Sequence, residues 1–152
     1  MADQETAAAP DAAHVPSRAL LLDNDIFFVT KISDTLKHAG WATTTARRLE
    51  DFVRRLAEDR PELVLVNTAA RGVDWQTAIR AAREAGVPVI AFGSHVDLET
   101  HAAARQAGAS RVISNSKLAA DLPGIVARTV RRPGQDEPTT DASNMADDEN
   151  DE

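Results

Sequence analysis

The chain has 152 residues and a formal net charge of −7, which is enough length for one domain with terminal tails. It contains no cysteine, so disulfide bonds and thiolate zinc sites are excluded. No apolar run approaches the roughly 20 residues that span a bilayer. Residues 1–17 lack the basic and apolar regions of a secretory signal, so we expect a cytoplasmic protein.

The charge is divided unevenly along the chain. Residues 1–17 hold three acids and residues 134–152 hold eight, and neither stretch has a Lys or Arg. The remaining 13 of the 24 acids lie in residues 18–133 with all 17 bases, so this segment carries +4. Both ends lack apolar periodicity, which predicts disordered tails at 1–17 and 133–152 around a folded domain at 18–132. The acidic tail either confers solubility or screens a basic face of the core.

The middle of the chain alternates short apolar runs with amphipathic segments. The apolar runs predict β-strands at 19–22, 63–67, 87–92 and 111–113, of which 19–22 and 63–67 are expected to be buried. The β-branched residues of 41–46 predict another strand. Apolar residues at helical spacing predict five helices with buried positions at Phe28, Ile32, Leu36 and Ala39; Leu49, Phe52, Val53 and Leu56; Trp75, Ala78, Ile79 and Ala82; Leu98, Ala102 and Ala107; and Leu122, Ile125, Val126 and Val130. Expected N-caps are Asp25, Asp74, and Asp97 or Ser94, and Pro123 is expected in the first turn of the last helix.

This alternation predicts an α/β domain with a five-stranded parallel sheet and helices on both faces, because parallel strands need crossover connections of helical length. In such sheets functional sites lie beyond the carboxyl ends of the strands. Asn67 closes the central run at 63–67, so it is expected at such an edge.

Polar or small residues follow four of the strands, at Asp23-Asn24-Asp25, Asn67, Gly93-Ser94 and Ser114-Asn115-Ser116. This order of strands and loop residues resembles the receiver domain of bacterial response regulators over nearly the whole core. The resemblance implies the flavodoxin-like fold with strand order 2-1-3-4-5.

The resemblance also implies which residues should carry the chemistry. In the family, two acids after the first strand hold Mg²⁺, an Asp ending the third accepts a phosphoryl group, a Ser or Thr ends the fourth, and a Lys-Pro pair follows the fifth. The matching residues here are Asp23 and Asn24, Asn67, Gly93 with Ser94 beside it, and Asn115 with Ser116. Only Asp23 is retained. The resemblance thus implies a degenerate pocket with no catalytic residue, metal or cofactor, because an amide is a weak nucleophile and one carboxylate binds Mg²⁺ poorly.

The predicted function is that of a stand-alone pseudo-receiver in phosphorelay (two-component) signal transduction. It would lack enzymatic activity and act by phosphorylation-independent contact with a protein in trans or with a second copy. The family's usual contact face is its fourth helix, fifth strand and fifth helix. In this sequence the matching residues are Ala104, Arg105, Ala109, Arg111 and Leu118.

Two alternatives stay open. The polar residues at the carboxyl edge, Asn67, Ser94, His95 and Asn115, could instead bind a small anionic ligand, because a fold does not fix a function. Ser or Thr phosphorylation could replace the lost aspartyl site, at Thr68, Ser94 or Thr139-Thr140.

Other patterns are better explained without a ligand. His95, Asp97 and His101 lack a fourth ligand at a recognised spacing, so surface histidines are expected and not a metal site. The basic residues of the second and third helices predict a solvated face and not a nucleic-acid site, since no aromatic platform interleaves them; they are Arg47, Arg48, Arg54, Arg55, Arg60, Arg80 and Arg83. Trp41 is expected in the core, and Trp75 is a candidate partner contact.

Overall fold

The structure, a computed structural model, describes residues 16–94 and 97–130. The predicted tails lie almost wholly outside these residues, as do His95 and the Thr139-Thr140 pair. The strands are β1 (Ser17–Leu22), β2 (Trp41–Ala46), β3 (Leu63–Asn67), β4 (Val89–Gly93) and β5 (Arg111–Ser114). The helices are α1 (Ile26–His38), α2 (Leu49–Asp59), α3 (Trp75–Glu84), α4 (Leu98–Ala107) and α5 (Asn115–Thr129).

The strands form one sheet in the order β2-β1-β3-β4-β5, and every neighbouring pair is parallel. One face of the sheet packs against α1 and α5, through residues such as Ile32 and Leu122. The other face packs against α2, α3 and α4, through Phe52, Ile79 and Ala104. The predicted fold class and strand order are therefore confirmed, and β3 is buried along its whole length because helices cover both of its faces.

Aspartates begin three of the helices, as predicted. Asp25 accepts hydrogen bonds from the amides of Phe27 and Phe28, and Asp97 accepts one from Thr100. Asp74 caps α3 in the same way. Each carboxylate satisfies amides that have no partner within the helix, so these caps fix where the helices start.

Two helices expose a side chain that the spacing predicted to be buried, although α2 still buries Phe52 and Leu56. Val53 of α2 is 43% exposed and Leu98 of α4 is 77% exposed, although both were predicted to be buried. Ala102 is exposed too, and α4 buries Ala104, which was not predicted, together with Ala107, which was. These small side chains join the same core cluster as the alanines of α3, so close packing of the two helices decides which side of α4 faces inward.

Two boundaries also differ from the prediction. β4 begins at Val89 because Pro88 has no amide hydrogen to give to the sheet. α5 begins at Asn115 and is interrupted at Asp121, whose φ of −145° and ψ of 43° are not helical. Asp121 thus divides α5 into two helical segments, and Pro123 lies in the first turn of the second segment, as the sequence predicted.

Candidate functional site

The strand register brings the predicted site residues to one edge of the sheet. Leu22 of β1 pairs with Val66 of β3, so the residues that follow them, Asp23 and Asn67, are neighbours. Farther along the edge, Gly93 of β4 pairs with Ser114 of β5. The carboxyl ends of β1, β3, β4 and β5 thus meet, which is where this class of sheet places its sites.

The centre of the site is a buried hydrogen-bonded pair. The Nδ2 atom of Asn67 donates to Oδ1 of Asp23 at 2.9 Å. The Oδ1 atom of Asn67 accepts from the amide of Ala69 at 2.8 Å. Asn67 therefore uses its donor on one side and its acceptor on the other, and a carboxylate at the same place has no hydrogen to donate to Asp23.

Asp23 is fully buried, and burial raises the pKa of its carboxyl group above the ordinary value of 3.8. Hydrogen bonds from the amide of Asp25, at 3.1 Å, and from Asn67 oppose this rise by favouring the charged form. The Oδ2 atom of Asp23 has no hydrogen-bond partner in the described part of the chain. The half-satisfied carboxylate explains why desolvation dominates its pKa.

Asn24 has a different role from its neighbour. Its Nδ2 atom donates to the carbonyl oxygen of Arg71 at 3.0 Å, which ties the β1–α1 loop to the β3–α3 loop. Gly72 follows with a φ of +67°, a conformation that favours glycine. The amide and hydroxyl of Thr68 both donate to the carbonyl oxygen of Phe92, at 2.8 and 3.3 Å. Neither Thr68 nor Arg71 was expected to organise the site, because these contacts run from side chain to backbone across loops.

The end of β5 differs from the expectation in one respect. Ser114, and not Asn115, is the strand residue opposite Gly93, while Asn115 is the first residue of α5. The Ser114 hydroxyl accepts from the amide of Lys117 at 3.2 Å and lies 3.1 Å from the Ser116 hydroxyl. The Oδ1 atom of Asn115 is buried and has no hydrogen-bond partner among the described residues. The strand simply continues one residue further than its apolar run.

The predicted contact face is mostly inside the protein. Ala104 and Leu118 are completely buried, and Ala109 and Arg111 are 6% exposed. Arg105 is the one residue of the five that is only partly buried. The four buried residues hold α4, β5 and α5 to the sheet, so Arg105 is the one side chain of this set that reaches the surface, and the contact face stays a prediction.

The residues at the edge do not make a good Mg²⁺ site. Asp23 is the one carboxylate of the buried pair, Asn67 is occupied by its two hydrogen bonds, and Asn24 contacts Arg71. Mg²⁺ requires several hard oxygen ligands in near-octahedral geometry. Across residues 16–94 and 97–130, no group of three potential His, Cys, Asp or Glu ligands comes together. No helix in those residues is long and apolar enough to cross a membrane.

The fold is that of a doubly wound α/β domain of the flavodoxin-like class. Similar solved structures show which type of flavodoxin-like fold it is. The chain is similar to the BeF3-activated receiver domain of Klebsiella pneumoniae RstA, with TM-score 0.67 and 20% identity over 76% of this chain and 99% of that one. It is also similar to a two-component response regulator of the LuxR family from an Aurantimonas species, with TM-score 0.70, 19% identity and coverage of 88% and 98%.

A third similar structure is a Burkholderia pseudomallei response regulator that carries a phosphorylated aspartic acid, a calcium ion and citrate. Its TM-score is 0.71 at 14% identity, over 86% of this chain and 72% of that one. No protein-family model matches the sequence, and no curated protein does either. At these identities the likeness establishes the fold, so the chain has the receiver fold of response regulators, as the sequence predicted.

Proposed function

We propose that this protein is a non-enzymatic pseudo-receiver that signals by protein–protein contact without aspartyl phosphorylation. The observation that carries the proposal is the hydrogen bond from Asn67 Nδ2 to Asp23 Oδ1, 2.9 Å long. An amide fills the position where the resemblance expects a phosphoryl acceptor. The amide is also built into the site, because its oxygen bonds the amide of Ala69.

The neighbouring residues support the same conclusion. Phosphoryl transfer to a carboxylate needs a nucleophile, a divalent cation and a fixed positive charge near the developing charge. Asn67 is a poor nucleophile, and the single buried carboxylate of Asp23 is a poor cation site. Gly93 has no hydroxyl at the position of the family's Ser or Thr, and Asn115 has no positive charge at the position of the family's Lys.

The partner's contact surface is proposed to lie around this same edge. The large apolar side chains that remain exposed include Ile26 and Phe27 in the first turn of α1 and Leu98 in the first turn of α4, at 67%, 85% and 77% exposure. Both helices begin after strands that end at this edge, so these residues lie at the same edge of the sheet as the Asp23–Asn67 pair. Exposed aromatic and aliphatic side chains are typical anchors for a protein partner.

The test is incubation of the full chain with acetyl phosphate and Mg²⁺, followed by intact-mass measurement before and after hydroxylamine treatment. An authentic receiver domain serves as the positive control, and Asn67→Asp serves as the matched variant. We expect no hydroxylamine-labile phosphoryl adduct on the wild-type chain. A labile adduct on wild type, mapped to Asp23 or Asp25, would overturn the proposal.

The small anionic ligand is less well supported. Asp23 places a carboxylate at the centre of the edge, and a carboxylate disfavours an anion nearby. No described contact at the edge places a Lys or Arg side chain on the Asp23–Asn67 pair.

A further inference from the structure

A cleft of about 790 Å³ lies at the opposite edge of the sheet, where the strands begin. Its walls include Ser17 and Trp41 at the starts of β1 and β2, Ser110 just before β5, and Val130 just after α5. The cleft is therefore separated from the Asp23–Asn67 pair by the length of the strands. What occupies it can be argued independently of the proposed function.

One arginine lines this cleft, and two more donate hydrogen bonds to residues that line it. Arg83 lines it and is exposed, and it forms no salt bridge within the described residues. Arg105 donates to the carbonyl oxygen of Ser110 at 3.4 Å, and Arg111 donates to the hydroxyl of Thr129 at 2.8 Å. Both acceptors line the cleft, whereas its one acidic lining residue is Glu62.

Gly108 leaves room for the side chain of Arg83 at this cleft. A Cβ atom built at Gly108 would lie 2.3 Å from Cδ of Arg83, so only glycine leaves room for the arginine chain to cross there. The φ of Gly108, +117°, is a conformation that also favours glycine. The backbone thus accommodates an arginine whose charged end is exposed beside the cleft.

The acidic C-terminal segment of this chain carries a charge opposite to that of Arg83, and it begins next to the cleft. Residues 131–152 continue directly from Val130, and eight acids lie between 136 and 152, with no Lys or Arg after Arg132. The first acid, Asp136, is six residues after Val130, and six residues of extended chain span at most about 20 Å. A short tether of this kind gives an effective concentration on the order of millimolar.

We propose that the acidic segment 136–152 docks in this cleft, where Arg83 binds its carboxylates and Arg105 and Arg111 add to the attraction. The segment then covers the amino edge of the sheet. An anionic partner reaches that edge only by displacing it.

The absence of cysteine makes a direct test simple. In the full chain, Ser143→Cys is labelled with a nitroxide and the attenuation of backbone amide NMR signals is measured. At low ionic strength the amides of Gly86, Gly108 and Ser110 should lose signal at least about twofold more than those of Thr68 and Ala69 at the other edge. About 0.5 M NaCl should remove the difference, since it shortens the Debye length to about 4 Å.

Matched substitutions identify the residue responsible. Arg83→Gln should reduce the attenuation around the cleft, whereas Arg47→Gln removes the same charge at the other edge and should leave it unchanged. Equal attenuation at both edges, or equal effects of the two substitutions, would overturn the proposal. A second sample mixes nitroxide-labelled chains with isotope-labelled chains that carry no nitroxide. Attenuation of the signals from the isotope-labelled chains would also overturn the proposal, because it would show contact between two copies.

Discussion

The pairing of Asn67 with Asp23 is the residue-scale feature from which the proposed function follows. Asn67 donates to a buried carboxylate and accepts from a backbone amide, so the site is matched to an amide in both directions. The sequence could place Asn67 at the end of a buried strand. It could not reveal the hydrogen bond, because that bond joins residues 44 positions apart through the β1–β3 register.

Replacing Asn67 by Asp should destabilise the protein in the absence of metal. The substitution puts two carboxylates in direct contact at a position where the distance is now 2.9 Å, and it removes the donor to Asp23. We expect a loss of about 1–3 kcal/mol in the free energy of unfolding near neutral pH, measured by urea denaturation. Asn24→Asp is the control, because Asn24 is only half-buried and should cost less. Equal losses for the two variants would contradict this reading of the pair.

Asp23 should make stability depend on pH in a definite direction. Its folded-state pKa is raised above 3.8 by burial, so the folded protein holds this proton more tightly than the unfolded chain does. The resulting stabilisation is complete below 3.8 and is lost as the pH rises through the raised pKa. Asp23→Asn keeps an oxygen acceptor and removes the buried charge. It should therefore increase the free energy of unfolding at neutral pH by about 1 kcal/mol, seen as a higher melting temperature, and by much less near pH 4.

Thermal melts of both proteins across this pH range provide the measurement. Asp34→Asn, which removes an exposed carboxylate from α1, is the control for net charge. A gain from Asp23→Asn that is equal at all pH values would show that ionisation of Asp23 is not the cause.

At the scale of elements, local chemistry sets at least half of the ends of the five described helices. Aspartate caps begin α1, α3 and α4. A residue in the left-handed backbone conformation follows two helices, Arg60 after α2 and Gly108 after α4. The aspartate caps and Gly108 are visible in the sequence because a cap or a glycine acts within a few residues of its own position, whereas the left-handed conformation of Arg60 is not.

Arg60 offers a test of this local control. Its φ of 49° is unfavourable for a side chain with a Cβ atom, and Pro61 after it disfavours the right-handed helical alternative. Arg60→Gly should therefore stabilise the protein by about 0.5–1 kcal/mol in chemical denaturation. Arg60→Ala removes the same side chain and keeps the Cβ atom, so it should give no such gain. A gain of the same size from both would assign the effect to the arginine side chain instead.

At the scale of the whole molecule, the exposed apolar residues are the ones available to a partner. Phe27 and Leu98 lie in the first turns of α1 and α4 and are 85% and 77% exposed. Phe27→Ser and Leu98→Ser should each change the free energy of unfolding by less than about 0.5 kcal/mol, because neither removes core packing. Both should weaken co-purification of protein partners from the native cell extract.

Substitution of the buried residue Leu118 should lower stability far more than substitution of exposed Phe27 or Leu98. Leu118→Ala removes packing between α5 and the sheet and should cost about 2–5 kcal/mol. Unchanged co-purification with Phe27→Ser and Leu98→Ser, measured beside wild type, would place the contact surface elsewhere on the domain.

The sequence by itself determined the number, kind and order of the elements and the parallel sheet, because hydrophobic period, caps and chain breakers act over a few residues. It also determined that Asn67 ends the central strand. The tertiary structure alone decided that Ser114 takes the strand-end position, that α4 buries Ala104 and exposes Leu98, and that Asn67 donates to Asp23. Those outcomes depend on register and on packing between distant segments, and such contacts leave no pattern in neighbouring residues.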